Sequence, residues 1–145
     1  MCSIIGYSGK NSAAPILVKG LQKMEYRGYD SVGIATESEN KIVVKKGVGR
    51  VVEVSNAVQL DKLPGNIGIG HTRWATHGKV TEKNAHPHSS NSGKIAIVHN
   101  GIVENFEELK SDLQNKGYEF QSETDTEVIA NLIQLNLDDT SDIKQ

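Results

Sequence analysis

The period of the apolar positions changes several times along the chain, and each change marks an element. Residues 3–7, Ser-Ile-Ile-Gly-Tyr, form a short apolar run that predicts a buried strand, with Ser8-Gly9-Lys10 as the turn behind it. From Asn11 or Ser12, either of which can cap a helix, Ile16, Leu17, Leu21 and Met24 recur at helical spacing. Pro15 falls in the first turn, where proline is tolerated, so a helix is expected to end near Tyr26. Arg27-Gly28-Tyr29-Asp30-Ser31 reads as a loop. Strands are expected at residues 32–36 and 41–46, joined by the polar turn 37–40 as a hairpin. A short helix over 51–60 is broken by Pro64-Gly65, and a strand over 67–72 runs into the segment 73–78. A further strand is expected at 94–99, after a polar loop.

Beyond Asn100-Gly101, residues 105–116 place Phe106, Leu109 and Leu113 on one helical face, with Gly117 as the stop. Thr124-Asp125-Thr126-Glu127 opens a final helix carrying Val128, Ile129, Leu132, Ile133 and Leu135. Strands in hairpin-like groups, with helices before and after them, predict an α+β fold with helices layered on mixed sheets. So apolar a final helix needs a partner surface, and the sequence stops soon after it. The domain is therefore expected to be incomplete at its C-terminus.

With 145 residues the chain has the size of one domain. Sixteen basic and eighteen acidic residues give a formal net charge of -2, which offers no field for a phosphate backbone and no polybasic membrane patch, so neither nucleic acid nor membrane is an expected partner. The N-terminus lacks the basic stretch and long apolar region of a signal peptide, and the expected location is cytoplasmic. The single cysteine, Cys2, excludes an internal disulfide framework. It is a small buried residue, a bystander that permits removal of Met1, or a reactive thiol.

Chemistry concentrates in a few places. Methionine aminopeptidases remove Met1 when the next side chain is small, which would leave Cys2 with its own α-amine beside its thiol. A free α-amine has a pKa of about 7.7 to 8.0, so it can take the thiol proton directly or through one water. In Gly70-His71-Thr72-Arg73-Trp74-Ala75-Thr76-His77-Gly78, Arg73 can hold a carboxylate bidentately, Thr76 and His77 can add hydrogen bonds, and Trp74 can wall a pocket. The same segment also fits a structural arginine ion pair beside a core tryptophan. Asn100 and Gly101 can supply an amide and an unhindered N–H to an oxyanion, or be no more than a turn. Asp125 is either a helix N-cap, with Thr124 as its competitor, or a counter-charge for an ammonium. The histidines, including His86 and His88, match no standard zinc spacing, and solvated or hydrogen-bonded loop histidines are expected rather than a metal site.

Cys2 behind Met1, residues 25–31 (Glu-Tyr-Arg-Gly-Tyr-Asp-Ser), 70–78, 99–105 and 122–127 occur in one order, and together they resemble the glutaminase domain of the glucosamine-6-phosphate synthase family. These are class II, N-terminal-nucleophile glutamine amidotransferases. The resemblance implies a four-layer αββα fold and a type 2 glutaminase domain, or its N-terminal part, over residues 1–145. It also implies hydrolysis of the glutamine side-chain amide through a thioester on Cys2, with no cofactor. On that resemblance Asn100 and Gly101 match the oxyanion hole, and Arg27 with Gly28 the loop that supports the nucleophile. Arg73, Thr76, His77 and Asp125 match the glutamine-binding groups, and Trp74 the loop that closes over them. Ammonia would serve conversion of fructose 6-phosphate to glucosamine 6-phosphate in sugar isomerase domains that this chain lacks. Any homo-oligomer would form through those domains. Ser3 stands where the family opening reads Cys-Gly-Ile, and a serine forced into tight or unusual backbone there is expected to cost about 1 kcal/mol or more. The competing expectations are a catalytically silent glutamine-binding or regulatory module that keeps the glutamine pocket, and the glutaminase portion of another class II amidotransferase.

Overall fold

The computed structural model describes residues 2–75 and 79–140. β1 (Ser3–Ser8) grows from the N-terminal apolar run and pairs antiparallel with β4 (Ile67–Arg73), Ser3 opposite Thr72 and Ser8 opposite Ile67. β2 (Ser31–Ser38) and β3 (Lys41–Val48) form the expected hairpin. Glu39 and Asn40 close it with φ of 53° and 60°, the pair of left-handed residues that a tight type I′ turn requires. β4 inserts between β1 and β2, giving a four-stranded antiparallel sheet in the order β1-β4-β2-β3.

Helix α1 (Ala13–Met24) lies across one face of this sheet. Pro15 is its third residue, where the missing N–H has no intrahelical acceptor to lose. Leu17 and Leu21 are fully buried. They come so close to β4 that a Cβ on Gly68 would stand 2.8 Å from Leu17, and one on Gly70 3.0 Å from Leu21. With Val32 and Ile34 of β2, they join Val51 and Val54 of α2 (Val51–Val58) and Leu60 of the 3-10 turn Leu60–Lys62 in one core. Each large apolar side chain fully buried here stabilises the fold by about 1.5–3 kcal/mol.

The opposite face of the sheet meets a polar layer. The segment 84–88 crosses it and leads into β5 (His88–Ser89), which pairs antiparallel with β6 (Ala96–Ile97). Helix α4 (Thr126–Asp139) packs on this ribbon, and α3 (Phe106–Asn115) packs on α4. The layers therefore run helix, sheet, sheet, helix, the αββα order that the resemblance implies. The strand expected at 94–99 shrinks to two residues because its partner β5 is equally short and the flanking backbone has no ladder to join. β5 itself falls in a stretch expected as loop. α4 starts at Thr126, and α1 tightens into a 3-10 turn at Glu25–Arg27 before the loop.

Ser3 incurs no backbone strain. It lies in extended β1, outside the positive-φ residues Glu39, Asn40 and Gln59, and its buried hydroxyl donates to the Met24 carbonyl at 3.3 Å. No helix among the described residues is long and apolar enough to cross a membrane.

Gly33 on β2 sets how closely the polar layer approaches. A Cβ there would stand 2.2 Å from the His86 carbonyl oxygen and 2.5 Å from the Lys46 Cβ, both tied to backbone. Gly33→Ala is expected to lower the unfolding free energy by about 1–3 kcal/mol. Gly6→Ala, on β1 with nothing within 4 Å, is expected to stay within about 0.5 kcal/mol of the parent. Urea unfolding of the three chains compares them directly, and equal midpoints would refute the close approach.

Candidate active site

Side chains alternate along a strand, and the register with α1 assigns the faces. Ser3, Ile5 and Tyr7 of β1 share a side with Thr72, Gly70 and Gly68 of β4, toward α1. Cys2, His71 and Arg73 therefore fall on the other side. Cys2, one residue before β1 and half-buried, meets the chain just past β4: the Trp74 N–H donates to its Sγ at 3.3 Å, and the thiol reaches the Trp74 carbonyl at 3.7 Å.

The segment after β4 is held from the loop read at 27–31. The Ala75 N–H donates to the Asp30 carboxylate at 2.7 Å, the Asp30 N–H to the Arg73 carbonyl at 3.0 Å, and the Tyr29 and Trp74 rings meet edge to face at 5.2 Å. Arg50 lies over Tyr29, and the Val51 N–H at the start of α2 donates to Glu25 at 2.6 Å, which places a negative charge at that helix N-terminus. Neither Asp30 nor Tyr29 was singled out from the sequence. A charged residue between two motif tyrosine and serine positions carried no sign of its partner 45 residues away.

The loop after β6 carries His99, Asn100 and Gly101. Asp125 occupies the N-cap position of α4 but makes no side-chain capping bond; its Oδ2 accepts instead from the Val103 N–H at 2.7 Å. The carboxylate thus ties the Asn100-Gly101 loop to the head of α4. Asn100 is held from β4, with its Oδ1 2.7 Å from His71 Nε2.

Of the solvated or hydrogen-bonded loop histidines expected, His88 is the hydrogen-bonded kind, and neither it nor His86 is solvated. Both are buried, as is His71, and the three rings form a stack: His71 on His86 at 4.3 Å, His86 edge-on to His88 at 4.6 Å. His88 Nε2 bonds Thr124, whose hydroxyl meets that of Ser122, and Ser122 donates to the buried Glu127 at 2.6 Å. Lys46 holds the strip in place from β3, donating to the carbonyls of Ala85 at 2.6 Å and Pro87 at 3.1 Å. Burial is the main reason these rings stay neutral. It pushes His71 down to about 4, His86 to about 2 and His88 to about 3, with smaller contributions from Arg73, from neighbouring histidines and, for His86 and His88, from Lys46.

Cys2, Arg27, Arg73, Trp74, Asn100, Gly101 and Asp125 line one cavity of about 720 Å³, together with His71 and Thr124. Gly28 is buried and is not among the lining residues. Thr76 and His77 lie outside the described residues. The cavity combines a thiol, an amide with a following glycine N–H, and charges of both signs in Arg73 and Asp125. Such a set can recognise the carboxylate and ammonium of an amino acid and stabilise an oxyanion formed on its side chain. No group of three or more His, Cys, Asp or Glu among the described residues is arranged to hold a metal ion. A second cavity, of about 820 Å³ beside Lys46 and Glu127, shares no lining residue with the first.

Residues 55–141 match the model of a family described as a glutamine amidotransferase domain. The chain belongs to this family of glutamine amidotransferase domains. It is 58% identical over 137 residues to the glutamine–fructose-6-phosphate aminotransferase (isomerizing) of Pyrococcus horikoshii, covering 94% of this chain and 23% of that protein. With the enzyme of the same name from Methanococcus maripaludis it is 54% identical over its whole length, 24% of that protein. The chain thus spans less than a quarter of the curated relatives it matches. Among solved structures, the glutamine phosphoribosylpyrophosphate amidotransferase of Bacillus subtilis, complexed with ADP and GMP, superposes with a TM-score of 0.76 at 36% identity, over 92% of this chain and 29% of that one. The amidotransferase fold of the described residues is therefore the N-terminal-nucleophile α+β architecture.

The buried histidines set a pH dependence for this amidotransferase domain. An unfolded histidine titrates near 6.5, whereas the folded rings are held at about 4, 2 and 3. Between pH 6.5 and about 4 the unfolded chain takes up protons that the folded chain refuses. The stabilisation is fully present above pH 6.5 and is lost as pH falls, by up to about 1.4 kcal/mol per pH unit for each ring. Urea midpoints at pH 7.5 and 5 should differ in that direction, and His86→Gln should flatten the slope. A midpoint that does not move would mean that the rings are solvated.

Proposed function

We propose that the chain hydrolyses the side-chain amide of glutamine to glutamate and ammonia through a thioester on Cys2. The observation that carries this is the meeting of Cys2, Asn100 with Gly101, Arg73 and Asp125 around one cavity. With Met1 removed, the Cys2 α-amine takes the thiol proton, and Sγ attacks the amide carbon of glutamine. The Asn100 –NH2 and the Gly101 N–H receive the oxyanion, each such donor lowering the barrier by about 2.7–4 kcal/mol. The Cys2 α-ammonium returns that proton to the amide nitrogen of glutamine, the C–N bond breaks as the tetrahedral intermediate collapses and ammonia leaves, and water then cleaves the thioester to glutamate and the free thiol. Arg73 takes the substrate carboxylate and Asp125 its ammonium, while Arg27 and Gly28 support the nucleophile. Thr76 and His77 are proposed to add hydrogen bonds to the bound amino acid.

Residues 1–145 are proposed as the N-terminal part of a type 2 glutaminase domain. The relatives named glutamine–fructose-6-phosphate aminotransferase support an acceptor of that chemistry: ammonia would convert fructose 6-phosphate to glucosamine 6-phosphate in sugar isomerase domains beyond this chain. A nucleophilic thiolate suits a reducing compartment, and the reaction is placed in the cytoplasm. A catalytically silent module would need Ser3 to spoil the nucleophile's strand, and the extended, hydrogen-bonded Ser3 supplies no such strain.

Intact mass should show the loss of Met1, and an electrophilic glutamine analogue should add one equivalent at Cys2. Cys2→Ala should abolish glutamate release from glutamine without unfolding the chain, and Asn100→Ala should lower kcat by about 10²- to 10³-fold. Glutamate release that persists in Cys2→Ala would overturn the thioester route.

A further inference from the structure

An asparagine amide can present either its oxygen or its –NH2 by turning over, and only the –NH2 can stabilise an oxyanion. Asn100 sits exposed on a loop, so its own backbone does not choose between the two. We propose that His71 is a positioning residue that makes this choice, holding the Asn100 oxygen toward β4 and leaving the –NH2 for the oxyanion. The role rests on the glutaminase function proposed above.

His71 is 1% exposed, and its Nε2 lies 2.7 Å from Asn100 Oδ1, a close N–H···O distance. Burial keeps the ring neutral near pH 7, so it carries a single N–H. With that proton on Nε2, the ring donates to the amide oxygen. If the amide turned over, its –NH2 would face this N–H, donor against donor. Relieving the conflict would move the proton to Nδ1, which is buried and has no hydrogen-bond partner among the described residues. A buried N–H without an acceptor is rarer than a buried acceptor without a donor, so the Nε2–H form with the oxygen inward is the matched pair.

The ring is also kept from turning. His86 stacks on it at 4.3 Å and 20° between planes. The segment bearing His86 is pressed to the sheet at Gly33 and held by Lys46 through the carbonyls of Ala85 and Pro87. Residues of β2, β3 and β4 thus converge on the orientation of one amide in the loop after β6. A buried imidazole hydrogen-bonded to that amide has a use that an apolar residue at position 71 would not have.

Two measurements on the full chain separate this role from packing. Long-range 1H–15N spectra at neutral pH read the His71 tautomer without any turnover. A proton on Nε2 is expected, and a proton on Nδ1 would overturn the proposal. In glutamate-release kinetics, His71→Leu removes the donor and His71→Gln retains one. His71→Leu is expected to lower kcat by about tenfold or more with KM within about threefold, since the lost interaction belongs to the transition state. His71→Gln should recover much of that loss. Equal losses in both variants, or a rise in KM at unchanged kcat, would make His71 a packing residue and overturn the proposal. A parent chain that releases no glutamate counts against the hydrolase function alone, and the tautomer still decides His71.

Discussion

The site depends on the register of β1 against β4. Ser3 opposite Thr72 puts Cys2 beside the end of β4, on the same side as His71 and Arg73. A slip of one residue would turn every β1 side chain over and drive Cys2 into the helix-covered core. What prevents the slip lies on the other face of the sheet. Ile5 and Tyr7 pack against the core with Leu17 and Leu21, Gly20 of α1 leaves room for the end of Ile5, and the Ser3 hydroxyl reaches the Met24 carbonyl. The apolar face thus determines the position of the reactive one, although none of its residues touches the cavity.

The reactive face is built differently. Three buried histidines, Lys46 and Glu127 occupy a layer that could have been apolar, and Nδ1 of both His71 and His86 goes without a partner among the described residues. Unpaired buried polar atoms cost stability, and a layer that retains them is arranged for something other than stability. Here the layer supports the cavity from beneath. Its cost is tolerable because the α1 layer, with its fully buried leucines, carries the cohesion of the domain.

Much of this was legible in the sequence, for reasons that differ by element. β1, α1, the β2–β3 hairpin and β4 carry clear periods, and Cys2, Arg73, Asn100 and Asp125 stand in motifs dense enough to be read together. β5 and β6 were not legible as a pair, because two-residue strands have no period to detect. For His86-Pro87-His88 the sequence leaves solvated and hydrogen-bonded loop positions open, because the groups that bury it, Gly33 and Lys46, lie some forty to fifty residues earlier in the chain. Asp125 stands at the cap position that the helix start around it suggests, but its side-chain partner, the Val103 N–H, belongs to another loop and is not legible there. His71 was within reach: on a strand it shares a face with Arg73, two residues on, and that parity alone aims it at the site.

Asp125 also shows how recognition and chemistry are joined in this fold. Its Oδ2 is engaged by the Val103 N–H at 2.7 Å, while among the described residues Oδ1 meets the Thr126 hydroxyl at 3.4 Å. One oxygen therefore holds the loop that carries Asn100 and Gly101, and the other remains the weakly engaged anionic atom at the cavity. An ammonium bound there would share its carboxylate with the oxyanion loop. The Asn100 amide is fixed from the opposite side by His71 on β4. The loop is thus anchored at two points, one on the sheet that positions Cys2 and one at the head of α4. Its geometry follows from both.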